Sequence, residues 1–165
     1  MKILVLSDSH SGMRFMRQCV ETIKPQAVVH LGDYYDDGET LKELYPHIEL
    51  HQVPGNCDRY RCPPWVPVRL CYDVCGVRLF MTHGHKHGVK TNTAMLVAEA
   101  RAMGAQAALY GHTHVAEVYR EETGMWVMNP GSAGYGGGCA GLIETENNTI
   151  VSCRLITQEN LEEFV

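Results

Sequence analysis

The chain has 165 residues, of which 45% are hydrophobic and 20% are charged, and its formal net charge is −5 at pH 7. This composition is typical of an ordinary globular protein, and we predict a single domain over residues 1–165. The chain has no basic stripe that could follow a nucleic-acid backbone and no apolar run of the about 18 residues that span a bilayer, so neither non-specific nucleic-acid binding nor membrane insertion is expected.

The N-terminal segment and the cysteines indicate the cellular compartment. The first apolar run meets Asp8 and His10 too early for a signal peptide, and no small-residue cleavage site follows it. The seven cysteines stand at irregular spacings, which favours a reducing compartment over a disulfide framework. We therefore expect a cytoplasmic protein. Cys71 and Cys75 could begin a zinc site, but no second pair completes it, and we prefer plain strand packing for both.

The first third of the chain alternates short apolar runs with segments of helical periodicity. The predicted order is strand Ile3–Leu6, helix Met13–Ile23, strand Ala27–Leu31, helix Leu41–Tyr45 and strand Ile48–Val53. This β-α-β-α-β order predicts a parallel sheet with right-handed crossovers.

The rest of the chain changes character. Gly76 lies between the runs Val68–Val74 and Val77–Met81, which predicts a hairpin, and a helix over Thr93–Met103 is expected to end at Gly104. Later strands are predicted at Ala107–Tyr110, Val115–Tyr119, Met125–Met128, Ala140–Glu144 and Ile150–Ile156, with a turn at Asn147-Asn148. Parallel units followed by antiparallel strands favour an α/β fold of two mixed sheets packed face to face, with helices outside.

Metal-binding residue types follow five of these strands at the point where each strand ends. The segments are Asp8-Ser9-His10, Gly32-Asp33, Gly55-Asn56-Cys57-Asp58, Thr82-His83-Gly84-His85 and Gly111-His112-Thr113-His114. Because ligands of open α/β sheets bind beyond the carboxyl ends of the strands, we expect these segments to converge. A single histidine or Asp-x-His pair is more often a core or surface feature than a ligand, but five such clusters at strand ends are hard to ascribe to chance.

The side chains in these segments suit transition metals. The candidate ligands combine carboxylate, amide and imidazole groups: Asp8, His10, Asp33, Asn56, His83, His112 and His114. Such a set suits Mn, Fe or Zn and is too rich in nitrogen for calcium. It exceeds what one ion needs, and a carboxylate such as Asp33 can bridge two cations about 3.5–4 Å apart. In an extended strand Asp8 and His10 would point the same way, and His112 and His114 would share that alternation or sit on a tight turn.

The order of these motifs resembles that of the calcineurin-like metallophosphoesterase superfamily. With the small size and the segment Asn129-Pro130-Gly131-Ser132, the chain is similar to bacterial and archaeal phosphodiesterases of the YfcE/MJ0936 type over roughly residues 1–155. The resemblance implies the metallo-dependent phosphatase fold, a four-layer α-β-β-α sandwich of two mixed sheets. It also implies two divalent ions, with Mn²⁺ the first choice and Zn²⁺, Fe²⁺, Ni²⁺ or Mg²⁺ as substitutes.

The same resemblance implies ligand sets and a reaction. One ion would have the ligands Asp8, His10, Asp33 and His114, and the other the ligands Asp33, Asn56, His83 and His112. A metal-activated water at this dinuclear centre would attack the phosphorus of a small-molecule phosphodiester in line with the leaving group, and no covalent enzyme intermediate is required.

Position 57 departs from the family pattern. Much of the superfamily has a histidine there that can protonate the leaving oxygen, whereas Cys57 is a poor proton donor to an alkoxide. This favours diesters with acidic leaving groups over monoesters, although a small buried residue is an equal interpretation of Cys57. Beside it, Asn56 and His85 are further catalytic candidates, and Asp58 is expected to orient a ligand.

A second departure concerns the outer part of the cleft. Relatives often place a basic residue after the Asn-Pro-Gly-Ser segment, where this chain has Ala-Gly-Tyr-Gly-Gly-Gly. Tyr135 could therefore contact the outer groups of the substrate, with the segment Tyr34-Tyr35-Asp36-Asp37 on the other side. His85 and His87 are either substrate contacts or solvated loop residues.

Two other classes of function compete with the enzyme. The retromer complex contains a subunit of this fold whose main role is to bind partners, so a non-catalytic interaction scaffold is the alternative. Loss of ligands would favour the scaffold, but here the set is complete. A metal-storage or redox protein has less support, because paired metals on an exposed sheet edge suit hydrolysis better. The sequence leaves a homo-oligomer open.

Overall fold

The computed structural model describes residues 1–164, and within them the chain forms ten strands and three α-helices. The strands are β1 Lys2–Leu6, β2 Ala27–His30, β3 Glu49–Gln52, β4 Arg69–Val74, β5 Val77–Thr82, β6 Ala107–Leu109, β7 Glu117–Arg120, β8 Trp126–Asn129, β9 Cys139–Glu146 and β10 Thr149–Thr157. The helices are α1 Met13–Ile23, α2 Tyr35–Leu44 and α3 Ala94–Ala102, and a 3₁₀-helix at Leu161–Phe164 follows β10. The predicted domain boundary at Val165 lies outside the described residues.

The strands form two mixed five-stranded sheets. The first has the order β10-β9-β1-β2-β3, in which β1, β2 and β3 are parallel and β9 and β10 are antiparallel. The second has the order β4-β5-β6-β8-β7, in which β5, β6 and β8 are parallel and the outer strands β4 and β7 are antiparallel. The predicted parallel β-α-β-α-β unit and the predicted hairpin around Gly76 are both confirmed.

Three apolar layers hold the elements together. Side chains such as Val5, Val29 and Leu79 fill the space between the two sheets. Helices α1 and α2 pack on the outside of the first sheet through Met16, Leu41 and their neighbours, and α3 packs on the outside of the second sheet through buried residues such as Leu96. The predicted α/β architecture, a four-layer α-β-β-α sandwich, is therefore confirmed. No helix among residues 1–164 is long and apolar enough to cross a bilayer.

Helix α2 begins at Tyr35, well before the predicted start at Leu41. Its first two turns contain few apolar residues, so the periodicity of the sequence is weak there. Its first turn contains Asp36 and Asp37, and carboxylates stabilise the positive end of a helix dipole. Because α2 begins at Tyr35, the candidate ligand Asp33 lies in a short loop between the end of β2 and the start of the helix.

Candidate metal centre

The carboxyl ends of strands from both sheets meet at one edge of the sandwich. Within the first sheet, the backbone N–H of Asp8 donates to the carbonyl of Gly32 at 2.9 Å. Between the sheets, His83 Nδ1 donates to the carbonyl of Leu31 at 2.8 Å, and the N–H of His112 donates to Asp8 Oδ2 at 3.1 Å. These contacts bring together the loops that follow the parallel strands.

The first group of candidate ligands lies on the side of β1. It consists of Asp8, His10, Asp33 and His114, whose ligand atoms all lie within 4.8 Å of one another. His114 Nε2 is 3.0 Å from Asp8 Oδ1, and His10 Nε2 is 4.0 Å from Asp33 Oδ2. The two carboxylates are buried, whereas the His114 side chain is 38% exposed. The group thus has a buried base and one face open to solvent.

The second group lies on the side of β5. His83 Nε2 is 3.1 Å from Asn56 Oδ1 and 3.5 Å from Asp33 Oδ2. The ring of His112 lies beside it, with 5.1 Å between the two ring centroids. Burial lowers the pKa of His112, which favours the neutral imidazole that binds metals. Asp33 Oδ2 therefore faces His10 on one side and His83 on the other.

The arrangement of lone pairs fits a divalent cation. A carbonyl can only accept, so His83 Nδ1 carries the proton, and in the neutral ring Nε2 presents a lone pair to the Asn56 oxygen. His10 Nε2 is buried without a hydrogen-bond partner, and so is Asp8 Oδ1, whose 3.0 Å contact with His114 Nε2 lacks hydrogen-bond geometry. Buried acceptors that face one another are costly. Cations at these positions would remove that cost, and the mixed oxygen and nitrogen set is typical of transition metals.

The backbone is strained where it carries the ligands. The φ angles are 52° at Asp8, 42° at His10, 57° at Asp33, 70° at His112 and 60° at His114. Non-glycine residues in this left-handed region are uncommon, and such strain clusters at functional sites. The expectation that Asp8 and His10 alternate along an extended strand is wrong, because β1 ends at Leu6 and both residues lie in a left-handed turn. His112 and His114 likewise sit on a tight turn.

The Asp58 carboxylate fixes two of the ligand loops, the loop after β2 and the loop after β3. Its Oδ2 accepts from the N–H groups of Asp33 at 2.8 Å and Gly55 at 2.7 Å. Its Oδ1 accepts from the N–H groups of Tyr34 at 2.7 Å and Tyr35 at 2.9 Å. Asp58 is only 1% exposed. One buried charge therefore caps α2 and ties the loop after β2 to the loop after β3.

A buried hydrogen-bond chain that the sequence does not predict lies beneath the first group. The N–H of Gly32 donates to His30 Nδ1 at 3.3 Å, so Nε2 carries the ring proton and donates to Ser9 Oγ at 3.0 Å. The Ser9 hydroxyl in turn donates to Asp37 Oδ2 at 2.7 Å, which also accepts from the N–H of Ser11 at 2.8 Å. Burial lowers the pKa of His30, in keeping with a neutral ring. The expectation that Asp37 lines the cleft is wrong, because it is buried in this chain of contacts.

The Asn-Pro-Gly-Ser segment supports the ligand loops from the second sheet. Ser132 Oγ donates to the carbonyl of Asp8 at 2.8 Å and accepts from the N–H of Tyr135 at 3.0 Å. Asn129 Nδ2 donates to Thr113 Oγ1 at 2.9 Å, between the two histidines of that turn. Sequence spacing gives no sign of these partners, since they come from distant parts of the chain.

Cys57 and His85 lie beside the second group, and Cys57 is exposed, so its interpretation as a small buried residue is wrong. The N–H of Cys57 donates to Asp33 Oδ1 at 2.9 Å, and its thiol accepts from Asn56 Nδ2 at 3.5 Å. Desolvation and the Asp33 carboxylate raise the pKa of Cys57, so its thiol stays protonated at neutral pH. The ring of His85 is 5.5 Å from that of His83, and burial, followed by the neighbouring His83 imidazole, lowers the pKa of His85 to about 4. Both lie next to candidate metal ligands, and their catalytic roles stay predictions.

His87 is turned away from the centre. Its Nε2 is bonded to Glu99 Oε2 at 2.8 Å, and its ring packs edge-on against Phe80 with 5.8 Å between centroids. His87 is 4% exposed, so both interpretations of it are wrong: it is neither a substrate contact nor a solvated loop residue. Within residues 1–164, Cys71 and Cys75 belong to no cluster of metal-ligating side chains. Cys71 lies on β4 and packs against an apolar cluster, as expected for a strand residue. Strand packing is wrong for Cys75, which packs against the core from the turn between β4 and β5.

The family model and the relatives that match this chain are described as phosphoesterases. A family model described as "Calcineurin-like phosphoesterase superfamily domain" matches residues 1–148. The probable metallophosphoesterase YsnB of Bacillus subtilis is 32% identical over 137 residues, covering 80% of this chain and 75% of that protein. Phosphodiesterase MJ0936 of Methanocaldococcus jannaschii is 26% identical over 163 residues, covering 88% of this chain and 94% of that protein.

Solved structures share the fold. A predicted phosphoesterase from Streptococcus pneumoniae TIGR4 has a TM-score of 0.76 at 26% identity, covering 96% of this chain and 90% of that one. Vps29 from Entamoeba histolytica, solved as a complex with Zn²⁺, has a TM-score of 0.69 at 20% identity, covering 95% of this chain and 99% of that one. The likeness to Vps29 shows the fold alone.

Proposed function

The chain belongs to the calcineurin-like phosphoesterase superfamily, and from that membership we propose that it is a phosphodiesterase for a small-molecule substrate, with a centre of two divalent cations. A metal-dependent phosphoesterase is what the family and the relative YsnB support. Our proposal goes beyond that support in three points: a preference for diesters, a centre of two ions, and manganese as the first candidate metal. We also propose a cytoplasmic protein, which is supported by seven cysteines that are all free of disulfides.

The position of the Asp33 carboxylate is the observation that carries the proposal of two cations. Its Oδ2 lies 4.0 Å from His10 Nε2 in the first group and 3.5 Å from His83 Nε2 in the second. Its other oxygen accepts from the N–H of Cys57 at 2.9 Å, which fixes the orientation of the carboxylate. A buried carboxylate between two sets of lone pairs supports a bridging role.

The chain's own residues prepare the centre before a substrate arrives. Divalent cations in such a centre supply charge that offsets the charge of a phosphoryl group, and they lower the pKa of water. The Asp58 carboxylate holds the loops of Asp33 and Asn56, and Ser132 holds the backbone of Asp8. Ligands fixed in this way need little rearrangement during the reaction, which lowers its barrier.

The preference for diesters rests on the side chain at position 57. A thiol is a poor donor to a leaving alkoxide, and the loop places Cys57 against Asn56 and Asp33 where a proton donor would be useful. General acid catalysis is typically worth about 10²–10⁴-fold, so its absence penalises poor leaving groups most. The relative MJ0936 is named a phosphodiesterase, which supports the same preference.

A panel of phosphoesters tests the proposal. Purified protein is freed of metal, reloaded with Mn²⁺, Zn²⁺, Ni²⁺ or Mg²⁺, and assayed against matched aryl monoesters and diesters. We expect diester hydrolysis with at least one ion and its loss after chelation. Faster hydrolysis of monoesters would contradict the diester preference. A protein that binds two ions and hydrolyses nothing would point to the interaction scaffold instead.

His112→Ala and His114→Ala should each lower the metal content from about two ions per chain towards one. The two side chains face different groups, because His114 Nε2 lies 3.0 Å from Asp8 Oδ1 whereas His112 packs beside His83. Metal content is measured by mass spectrometry after dialysis. His47→Ala, at an exposed histidine outside the centre, should retain both ions. A crystal structure with both imidazoles on one ion would refute the split.

Cys57→His should flatten the dependence of the rate on the pKa of the leaving group. A histidine at this position can protonate the leaving oxygen, so esters with poor leaving groups should gain most, up to about 10²-fold. The measurement is a series of aryl and alkyl esters assayed at matched metal loading. Cys57→Ala is the control, and it should keep the slope of the wild type. Parallel slopes for all three proteins would show that position 57 has no part in protonating the leaving group.

A further inference from the structure

We propose that Tyr34 and Tyr135 form an aromatic wall that binds a planar aromatic group of the substrate and so selects aryl or nucleoside phosphoesters over alkyl ones. This inference rests on the proposed phosphodiesterase function, because it names the substrate class of the same site. It concerns the part of the substrate that lies outside the two ligand groups.

Both tyrosine rings lie against the first ligand group. The ring centroid of His10 is 4.9 Å from that of Tyr34 and 4.9 Å from that of Tyr135. Tyr135 also stacks on His114, with 5.6 Å between centroids and an interplanar angle of 22°. A phosphoryl group held by these ligands would therefore have an aromatic surface as its immediate neighbour.

Tyr135 is held in place by the same contacts that hold a ligand. Its N–H donates to Ser132 Oγ at 3.0 Å, and Ser132 Oγ donates to the carbonyl of Asp8 at 2.8 Å. The residue before it must be glycine, since a Cβ at Gly134 would lie 2.1 Å from the carbonyl oxygen of Ser9. The ring is thus positioned relative to the centre before any ligand binds, which reduces the entropy lost on binding.

Tyr34 is held from two sides. Its N–H donates to the Asp58 carboxylate at 2.7 Å, and the guanidinium of Arg61 lies 3.9 Å from the centroid of its ring. Arg61 is in turn paired with Asp36 at 2.8 Å. This cation–π contact covers part of Tyr34 and fixes its tilt, so Tyr34 forms the supported half of the wall.

Tyr135 forms the open half of the wall. It is 57% exposed although it stacks on His114, so much of its surface is free to contact a ligand. Tyrosine is enriched at binding interfaces because its ring is apolar and its hydroxyl can stay in contact with water. Stacking on an aromatic ring raises the affinity of a flat group whatever its polar substituents. For nucleobases, replacing the aromatic residue by alanine lowers the affinity about tenfold or more.

The test compares two ligands that differ only in their organic group. Binding of phenyl phosphate and methyl phosphate to the metal-loaded protein is measured by calorimetry. The wild type should bind phenyl phosphate about tenfold more tightly than methyl phosphate. Tyr135→Ala should remove this difference without changing the affinity for methyl phosphate, whereas Tyr135→Phe should retain it. Tyr34→Leu should have a smaller effect of the same kind.

Tyr72→Ala is the matched control. Tyr72 is also 57% exposed and lies beside a histidine, with 5.5 Å to the ring centroid of His51, but it is on β4 and outside the centre. The Tyr72→Ala protein should bind phenyl phosphate and methyl phosphate with the affinities of the wild type. Equal affinity of the wild type for the two phosphates would overturn the proposal. An equal loss of affinity for both phosphates in Tyr135→Ala would also overturn it. That result would show that Tyr135 only positions the candidate ligands His10 and His114.

The same experiment separates this inference from the proposed function. The affinity for the two monoesters is measured separately from diester hydrolysis, so a protein that prefers phenyl phosphate but hydrolyses no diester would contradict the phosphodiesterase and leave the wall standing. A protein that hydrolyses aryl and alkyl diesters but binds the two phosphates equally would contradict the wall alone.

Discussion

Asp33→Asn is expected to lower kcat/KM by about 10²–10⁴-fold and to weaken metal binding in both ligand groups. The substitution is nearly isosteric, so the expected loss comes from chemistry and not from shape. Asp33 Oδ1 accepts from the N–H of Cys57, and the amide oxygen of an asparagine would take that place. The NH₂ group would then occupy the position of Oδ2 between His10 and His83, where it is no metal ligand and carries no charge.

Asp33→Asn is also expected to leave the fold intact. The hydrogen bond to Cys57 is kept, and the removal of a buried charge lowers the cost of burying the group. Metal content, kcat/KM and the melting temperature are measured on one preparation. Asp73→Asn, an exposed carboxylate paired with Arg78 at 3.2 Å, is the control and should match the wild type in all three. A variant with two bound ions and near-normal turnover would show that Asp33 is not the bridge.

Much of the fold follows from apolar periodicity. Strand β1, helix α1 and the hairpin of β4 and β5 were all expected within a residue or two of their bounds, because each presents a simple pattern to one buried layer. Helix α2 was expected six residues too late. It begins with Tyr35-Asp36-Asp37, and the contact that stabilises this turn is Asp58, which lies in another loop. Long-range contacts of this kind leave no local pattern.

The site, like the fold, has features that the sequence predicts and features that it does not. The positions of candidate ligands at strand ends were visible in the sequence because a sheet edge collects the ends of parallel strands. Their local geometry was not visible, since the left-handed turns at Asp8 and His10 are held by partners elsewhere, such as Ser132. The buried chain from His30 through Ser9 to Asp37 was missed for the same reason. A sequence pattern indicates which residues meet, and the partners that orient them come from the fold.

Asp58→Asn is expected to destabilise the protein by about 3 kcal/mol or more and to lower metal affinity or activity by about 10–100-fold. The four backbone N–H groups that surround this side chain all donate to its two oxygens. An asparagine has one acceptor oxygen, so whichever way it is turned, two N–H groups would face its NH₂. Each lost bond to a charged acceptor costs about 1.5–3 kcal/mol, and buried donors without partners add to that.

The consequences should appear first in the two loops that Asp58 joins. The N–H of Asp33 and the N–H of Gly55, next to Asn56, would lose their common acceptor, so both candidate ligands would become less well positioned. The melting temperature should fall by about 6–12 °C, since about 1 kcal/mol corresponds to about 2–4 °C at this chain length. Part of the lost activity should return at high metal concentration, because metal binding stabilises the folded loops by mass action. Asp73→Asn again serves as the isosteric control, with an expected change of less than about 0.5 kcal/mol. An Asp58→Asn protein with the melting temperature and metal affinity of the wild type would show that these four hydrogen bonds do not hold the centre together.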